Sequence, residues 1–235
     1  MKKALIVIAN YSDNRQKIFE DHFSLRNAKF AEIHGYDYIV SRGGEVIRGN
    51  PTWWKFTIIK DYLDKYDQIL HLDADMRIDK FDKDYPCSKS FTVAIDNGNT
   101  FCMGSYKINV NDWSRRLIDN ILDEGLYKNN KDTNHWQNFR EQAAFYTLCG
   151  IPPHSWIPFM DLPNNGFHNC VSADTLYGLE ELEDNIEVIG PEWNTTLLEE
   201  ESDRIGQALM QYNIVKSKSE NTRIRHFAGG QTWMI

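Results

Sequence analysis

The stretch Gln68-Ile69-Leu70-His71-Leu72-Asp73-Ala74-Asp75 decides how the chain is read. Ile69, Leu70 and Leu72 make its core apolar, interrupted by His71, and it then ends in acid. A short apolar run that stops at a turn signal fits a strand buried on both faces, as in parallel sheets. Residues two apart in an extended chain project to one face. Asp73 and Asp75 are therefore expected to reach one point at the carboxyl end of the strand, where open α/β sheets bind ligands. Carboxylates converging there repel each other unless a cation sits between them, and hard divalent ions prefer such oxygen ligands. A bound ion would neutralise a diphosphate and stabilise it as a leaving group. D-x-D also occurs in ordinary solvated turns. Its position behind a buried strand is what favours the ligand-binding reading.

Working outward, residues 4–9 (ALIVIA) form another continuous apolar run and a first strand. A helix is expected from about Arg15 to His34, with Ile18, Phe19, Phe23, Leu25, Phe30 and Ile33 as its apolar positions and Gly35 as its C-terminal glycine. YDYIV (36–40) reads as the second strand. Asn50 and Pro51 then start a helix that runs to about Lys65. This β-α-β-α-β order implies a right-handed, doubly wound, mainly parallel central sheet with flanking helices, an α/β fold. Downstream, 91–95 and 101–108 are expected strands, and Asn111 to Glu124 an expected helix. LYKNNKDTNHWQN (126–138) is polar and aperiodic, a loop that would be able to close over a ligand. Residues 140–148 are helical and stop at Gly150 and Pro152-Pro153. IEVIG (186–190) is a strand, and RIRHFAGG (223–230) runs from strand into a glycine turn. No internal repeat or linker divides the chain, so residues 1–235 are read as a single domain.

Bulk properties narrow the function classes. With 235 residues, 41% hydrophobic and 26% charged, the chain can bury a core and is not a disordered polymer. Its formal charge of -8 argues against binding nucleic acid, which needs clustered Lys and Arg. An acidic protein handling a phosphorylated ligand needs a local cation, and a divalent metal supplies one. No segment approaches the roughly 20 apolar residues of a transmembrane span, and the opening MKKALIVIA is too short for a signal peptide. Cys87, Cys102, Cys149 and Cys170 show no CxxC spacing, so neither a zinc site nor a disulfide framework is expected and a reduced, intracellular protein is. The aromatic fraction of 13% suits core packing or sugar and base stacking equally. His226 is flanked by Arg223 and Arg225 upstream and by Gly229 and Gly230 downstream, glycines that would let backbone approach a phosphate. An imidazole joining two carboxylates suits Mn²⁺ better than Mg²⁺.

Taken in order, WWKFTIIKDYL (53–63) leading into QILHLDAD, MGSYKINVNDWSRRLID (103–119), EQAAF (141–145), PEWN (191–194) and HFAGG (226–230) resemble the GT-A glycosyltransferases. The resemblance is closest to the retaining galactosyl-, mannosyl- and xylosyltransferases of the GMA12/MNN10 type. It implies one GT-A (Rossmann-like) domain, with a nucleotide-binding half (1–100) and a half that completes the acceptor and metal sites (101–235). It also implies transfer of a hexose or pentose from a nucleotide-sugar donor, UDP-linked in common relatives, to a glycan acceptor hydroxyl with retention. Asp73, Asp75 and His226 would hold Mn²⁺ (or Mg²⁺). Ala9, Asn10, Lys55, Asp73, Arg225 and Gly229 would bind the donor, and Glu141 and Gln142 would stand at the anomeric centre. Trp193 and Asn194 would shape the pocket. Absent an anchor, the resemblance implies a cytoplasmic enzyme of bacterial or viral type; the oligomeric state is left open.

The chain departs from the family at two places. Cys102 and Met103 precede Gly104 where an Asn is common, and Gln231, Thr232 and Trp233 stand where a phosphate-binding Lys follows the HF-x-G glycine. Arg223 or Arg225 would then contact phosphate instead. The alternatives are a metal-dependent phosphohydrolase, a sugar-nucleotide-forming nucleotidyltransferase and a sugar-nucleotide-binding protein without turnover. The first usually carries Thr or Val where Arg77 stands, and the second a Gly-rich loop where residues 9–16 have no glycine.

Overall fold

The computed structural model describes residues 1–11, 14–43, 54–95, 101–127, 141–142, 144–150, 177–196 and 221–227. The apolar runs form strands as their pattern dictates. In chain order the elements are β1 (Lys3–Ile8), α1 (Asn14–Ile18), a π-helical segment (Phe19–Ser24), α2 (Leu25–His34) and β2 (Tyr36–Ser41). Next come α3 (Trp54–Lys60), β3 (Gln68–Asp73), β4 (Met76–Ile78), β5 (Phe91–Ile95), β6 (Phe101–Asn109) and α4 (Asp112–Tyr127). Residues 141–142 and 144–148 are helical, followed by α5 (Leu179–Asn185), β7 (Ile186–Ile189), β8 (Thr195–Thr196) and β9 (Ile224–His226).

The central sheet has six strands in the order β2-β1-β3-β6-β5-β7. All run in one direction except β6, which is antiparallel to both its neighbours. The mainly parallel sheet with flanking helices expected from the sequence is thus the sheet observed. Strand alternation sorts its side chains onto two cores. Ala4, Ile6, Ile69, Phe91 and Val93 pack on one face with α3 and α4. Leu5, Val7, Leu70 and Leu72 pack on the other with Phe19, Phe23 and Phe30. Burying one such side chain stabilises by about 1.5–3 kcal/mol, so the two faces together hold the sheet in place.

Two irregularities matter for function. Gly35 closes α2 in the left-handed conformation (φ 70°), its N–H reaching Ala31 and Glu32 carbonyls, as the sequence predicts. In β6, Val93 pairs with Tyr106 and Ile95 with Phe101, so the register shifts across residues 102–105. Bulges of this kind re-aim side chains beside binding sites. The third strand ends earlier than expected: β3 stops at Asp73, and Ala74 and Asp75 form a turn into β4. A small second sheet, β4-β9-β8, then returns the chain to that turn. The helix start at Asn50-Pro51 and most of the 126–138 loop lie outside the described residues; Leu126 and Tyr127 are still helical.

Candidate active site

Parallel pairing aligns Ile8 of β1 with Ser41 of β2 and with Asp73 of β3, so these strands end at one edge of the sheet. Ala9 continues β1 there, fully buried, with its N–H bonded to the Ser41 carbonyl at 2.9 Å, and Asn10 beyond it is exposed.

Asp73 is held from two sides. Lys55, from the first turn of α3, places Nζ 2.9 Å from Oδ1 and 3.0 Å from Oδ2. The same ammonium lies 3.0 Å from Glu141 Oε1 and donates to the Met103 carbonyl at 3.2 Å. Lys55 is buried, and burial alone would push its pKa down, but Asp73 and Glu141 outweigh it and hold the ammonium well above its ordinary value. His71, fully buried on the same face of β3, places Nε2 3.0 Å from Asp73 Oδ1. Burial holds this imidazole below its ordinary value against the pull of Asp73. A neutral ring donating from Nε2 follows, with Nδ1 as a buried acceptor that has no partner. Burial works against the charge on Asp73 as well, yet Lys55 and His71 keep the carboxyl below the usual carboxylate range.

Gln142 is fixed too. Its Oε1 accepts the Met103 N–H at 3.3 Å and its Nε2 donates to Tyr146 Oη at 3.3 Å, and that hydroxyl bonds to the Phe101 carbonyl at 2.8 Å. Gly104, in the irregular part of β6, lets these groups close up. A Cβ there would stand 3.1 Å from Asp73 Oδ2 and 3.4 Å from both Cys102 Sγ and Met76 Cε.

Asp75 belongs to a second cluster. Met76 pairs with His226 across β4 and β9, and the Phe227 N–H bonds to the Asp75 carbonyl at 2.9 Å. His226 Nε2 therefore faces Asp75 Oδ1 at 3.6 Å. The opposite ring nitrogen, Nδ1, lies 3.0 Å from Asn194 Oδ1 and 3.7 Å from Cys102 Sγ. Asp75 Oδ1 is buried and has no hydrogen-bond partner. Burial pushes the His226 imidazole down, but Asp75 overrides it and the pKa is raised well above its ordinary value. The pair thus attracts positive charge. Donor atoms on one divalent ion lie at about 2.0–2.2 Å from it, hence roughly 3–4 Å from each other. The orphaned carboxylate oxygen and the imidazole nitrogen meet that spacing, so Asp75 and His226 fit a metal ion. Among the described residues no group of three or more His, Cys, Asp or Glu side chains gathers around one such point.

Of the expected site residues, the structure joins Lys55, Asp73 and Glu141 in one cluster and Asp75 and His226 in the other. Arg225 Nε stands 2.8 Å from Asp79 Oδ2, out of line for a hydrogen bond, and Arg223 pairs with Asp82 at 2.8 and 3.2 Å. Trp193 is buried edge-on against Tyr85 at 5.1 Å. Gly229 lies outside the described residues. His71 escaped sequence reasoning, although a lone polar residue inside an apolar strand was its signal. Cys102 was noted as a departure, and its position beside His226 follows from the β6 irregularity. No helix among the described residues is long and apolar enough to cross a membrane.

No protein-family model matches the sequence, and no curated protein is similar to it in sequence. Solved structures are similar in shape. A glycosyltransferase involved in glycosylation of the major capsid protein of PBCV-1 aligns with TM-score 0.56 at 12% identity, over 99% of this chain and 95% of that one. The apo form of the glycosyltransferase GlyE of Streptococcus pneumoniae TIGR4 aligns with TM-score 0.53 at 13% identity, over 98% of this chain and 55% of that one. A second GlyE structure gives TM-score 0.50 at 14% identity, and this chain spans 56% of its length. At such identities the likeness speaks to architecture, and the architecture it shows is the GT-A fold.

Proposed function

We propose that this chain is a metal-dependent glycosyltransferase, related to the retaining GMA12/MNN10-type enzymes. It moves a hexose or pentose from a nucleoside-diphosphate sugar, UDP-linked in the first instance, to a hydroxyl of a glycan acceptor. The observation that carries the reading is the Asp75–His226 pair, an unpartnered carboxylate oxygen facing an imidazole nitrogen at 3.6 Å beside the ligand-binding edge of a GT-A sheet. When bound there, Mn²⁺ or Mg²⁺ would neutralise the diphosphate.

The chain's own groups do the rest. Lys55 and His71 hold Asp73 in one orientation at the strand end, beside Ala9 and Asn10, where a ribose or base would lie. Gln142, fixed by Met103 and Tyr146, presents its amide near the sugar. Glu141 is bound to the Lys55 ammonium, which lowers its worth as a nucleophile. That favours a front-face reaction over a double displacement. The acceptor oxygen bonds the anomeric carbon on the face the diphosphate leaves, the glycosidic C–O bond breaks with its electrons passing to the diphosphate, and a diphosphate oxygen takes the acceptor proton. The first half of the chain supplies Lys55, Asp73 and Asp75 and the second supplies Glu141, Gln142 and His226, consistent with one domain over 1–235.

A thermal-shift series with UDP- and GDP-sugars, with and without Mn²⁺, tests this on wild type and Asp75→Ala. Ligands that bind the native state raise its melting temperature, by about 2.7 kcal/mol of added stability at a hundredfold excess over Kd. One donor should stabilise wild type only with Mn²⁺ and leave Asp75→Ala unshifted. No shift with any donor would overturn the proposal, and an inverted anomer in the product, seen by proton NMR, would overturn retention.

A further inference from the structure

We infer that Asn194 is a positioning residue for the cation: its side-chain oxygen accepts a hydrogen bond from the Nδ1–H of His226 and thereby leaves the Nε2 lone pair for the metal. The inference rests on the metal-dependent reading above and deepens it.

A neutral imidazole has one N–H, and the partner of that N–H decides which nitrogen is left to bind a metal. In His226 the two nitrogens have distinct surroundings. Nδ1 is 3.0 Å from Asn194 Oδ1, a good hydrogen-bond distance. Nε2 faces Asp75 Oδ1 at 3.6 Å, too far for a hydrogen bond. When a divalent ion displaces the proton that Nε2 and Asp75 share, the N–H held at Nδ1 leaves the Nε2 lone pair and the carboxylate oxygen both directed at the ion.

Asn194 is built to hold this geometry. It is fully buried, and it joins the single turn Pro191–Trp193 to β8. Its N–H bonds to the Pro191 carbonyl at 3.0 Å, and the hydroxyl of the next residue, Thr195, bonds to the same carbonyl at 2.9 Å. Thr196, two residues on, pairs with His226 in the parallel β8–β9 ladder. Backbone pairing thus fixes the amide relative to the ring. The amide nitrogen Nδ2 is buried with no partner. The other neighbour of Nδ1, Cys102 Sγ at 3.7 Å, is a weak partner and does not fix a ring by itself.

The test measures Mn²⁺ affinity by electron paramagnetic resonance of the free ion, in saturating UDP, for wild type, Asn194→Leu, Asn194→Ala and Asn194→Asp. Thermal melts without metal check that each variant folds. Asn194→Leu and Asn194→Ala should weaken Mn²⁺ binding about 10- to 100-fold, the usual loss for an outer-shell partner. Asn194→Asp, which can only accept, should bind Mn²⁺ at least as tightly as wild type. Should Asn194→Leu not fold, the Ala and Asp variants decide by themselves. Wild-type affinity in Asn194→Leu or Asn194→Ala overturns this inference alone. So does an Asn194→Asp that loses as much as they do, since the amide would then be donating to Nδ1. Failure of wild type itself to bind Mn²⁺ overturns the metal-dependent reading and this inference with it.

Discussion

Lys55 serves two carboxylates, half-buried Asp73 and buried Glu141, with one charge. Its ammonium is engaged by Asp73, Glu141 and the Met103 carbonyl, which leaves no proton free for a ligand. The lysine expected from resemblance to meet the donor therefore acts through the groups it holds. Removing it strands the buried Glu141 carboxylate away from water, and breaking a buried pair from one side costs about 3–5 kcal/mol. Lys55→Met should accordingly lower stability by about that amount in a urea melt, far more than an exposed lysine substitution. A loss under about 1 kcal/mol would mean that water reaches the cluster and that the pair is worth no more than a surface one. At this scale the sequence disclosed the participants better than their partners. Asp73, Asp75, Lys55, Glu141 and His226 were all marked as candidates. A two-residue spacing put both aspartates on one face, but that holds only while the chain stays extended. It turns at Ala74, and so Asp73 and Asp75 answer to different neighbours.

Among the elements, β6 has the most unusual task. Its inner positions shift face across residues 102–105, which brings Cys102 toward His226 and leaves Gly104 against Asp73. A methyl group at 104 would need its neighbours to give by a few tenths of an ångström. Overpacking of this kind typically costs about 1–3 kcal/mol, and small misplacements at a reacting centre cost up to about a hundredfold in rate. Gly104→Ala should stay folded, with a stability loss near the low end of that range, while transfer activity falls at least about tenfold. Equal, small effects on both would remove Gly104 from the site. The long elements were legible because apolar patterning is strong over five or more residues: β1, β3, β5, β6 and the helix ending at Gly35 stand within a few residues of expectation. β4 and β8, three and two residues long, carry no period of their own. They exist because β9 pairs with both, and long-range pairing leaves no local mark. α5, rich in acid, was missed for a related reason: one buried leucine, Leu182, supplies its inward face.

For the molecule as a whole, the buried charges set how stability depends on pH. Asp73 has its pKa below the ordinary carboxylate value in the folded state. Its contribution is therefore complete above the unfolded value of about 4, and is lost as pH falls through the lower folded value. Comparing thermal melts of wild type and Asp73→Asn from pH 7 down to pH 3 isolates this effect. The advantage of the carboxylate over the amide should hold steady from pH 7 to about 5 and shrink below about 4. An advantage that does not change across that range would place the charge of Asp73 outside the folding balance. The same whole-molecule view applies to β9. Asp75 follows β3 and His226 belongs to β9, far apart in the sequence, and backbone pairing brings the two together. A ribosome must therefore have made the chain as far as β9 before the pair can exist. A nascent polypeptide carrying β1 to β3 already has its aspartates, but without β9 Asp75 has no imidazole facing it. On the proposed function, a chain that stops short of β9 would hold only the aspartate half of the cation site.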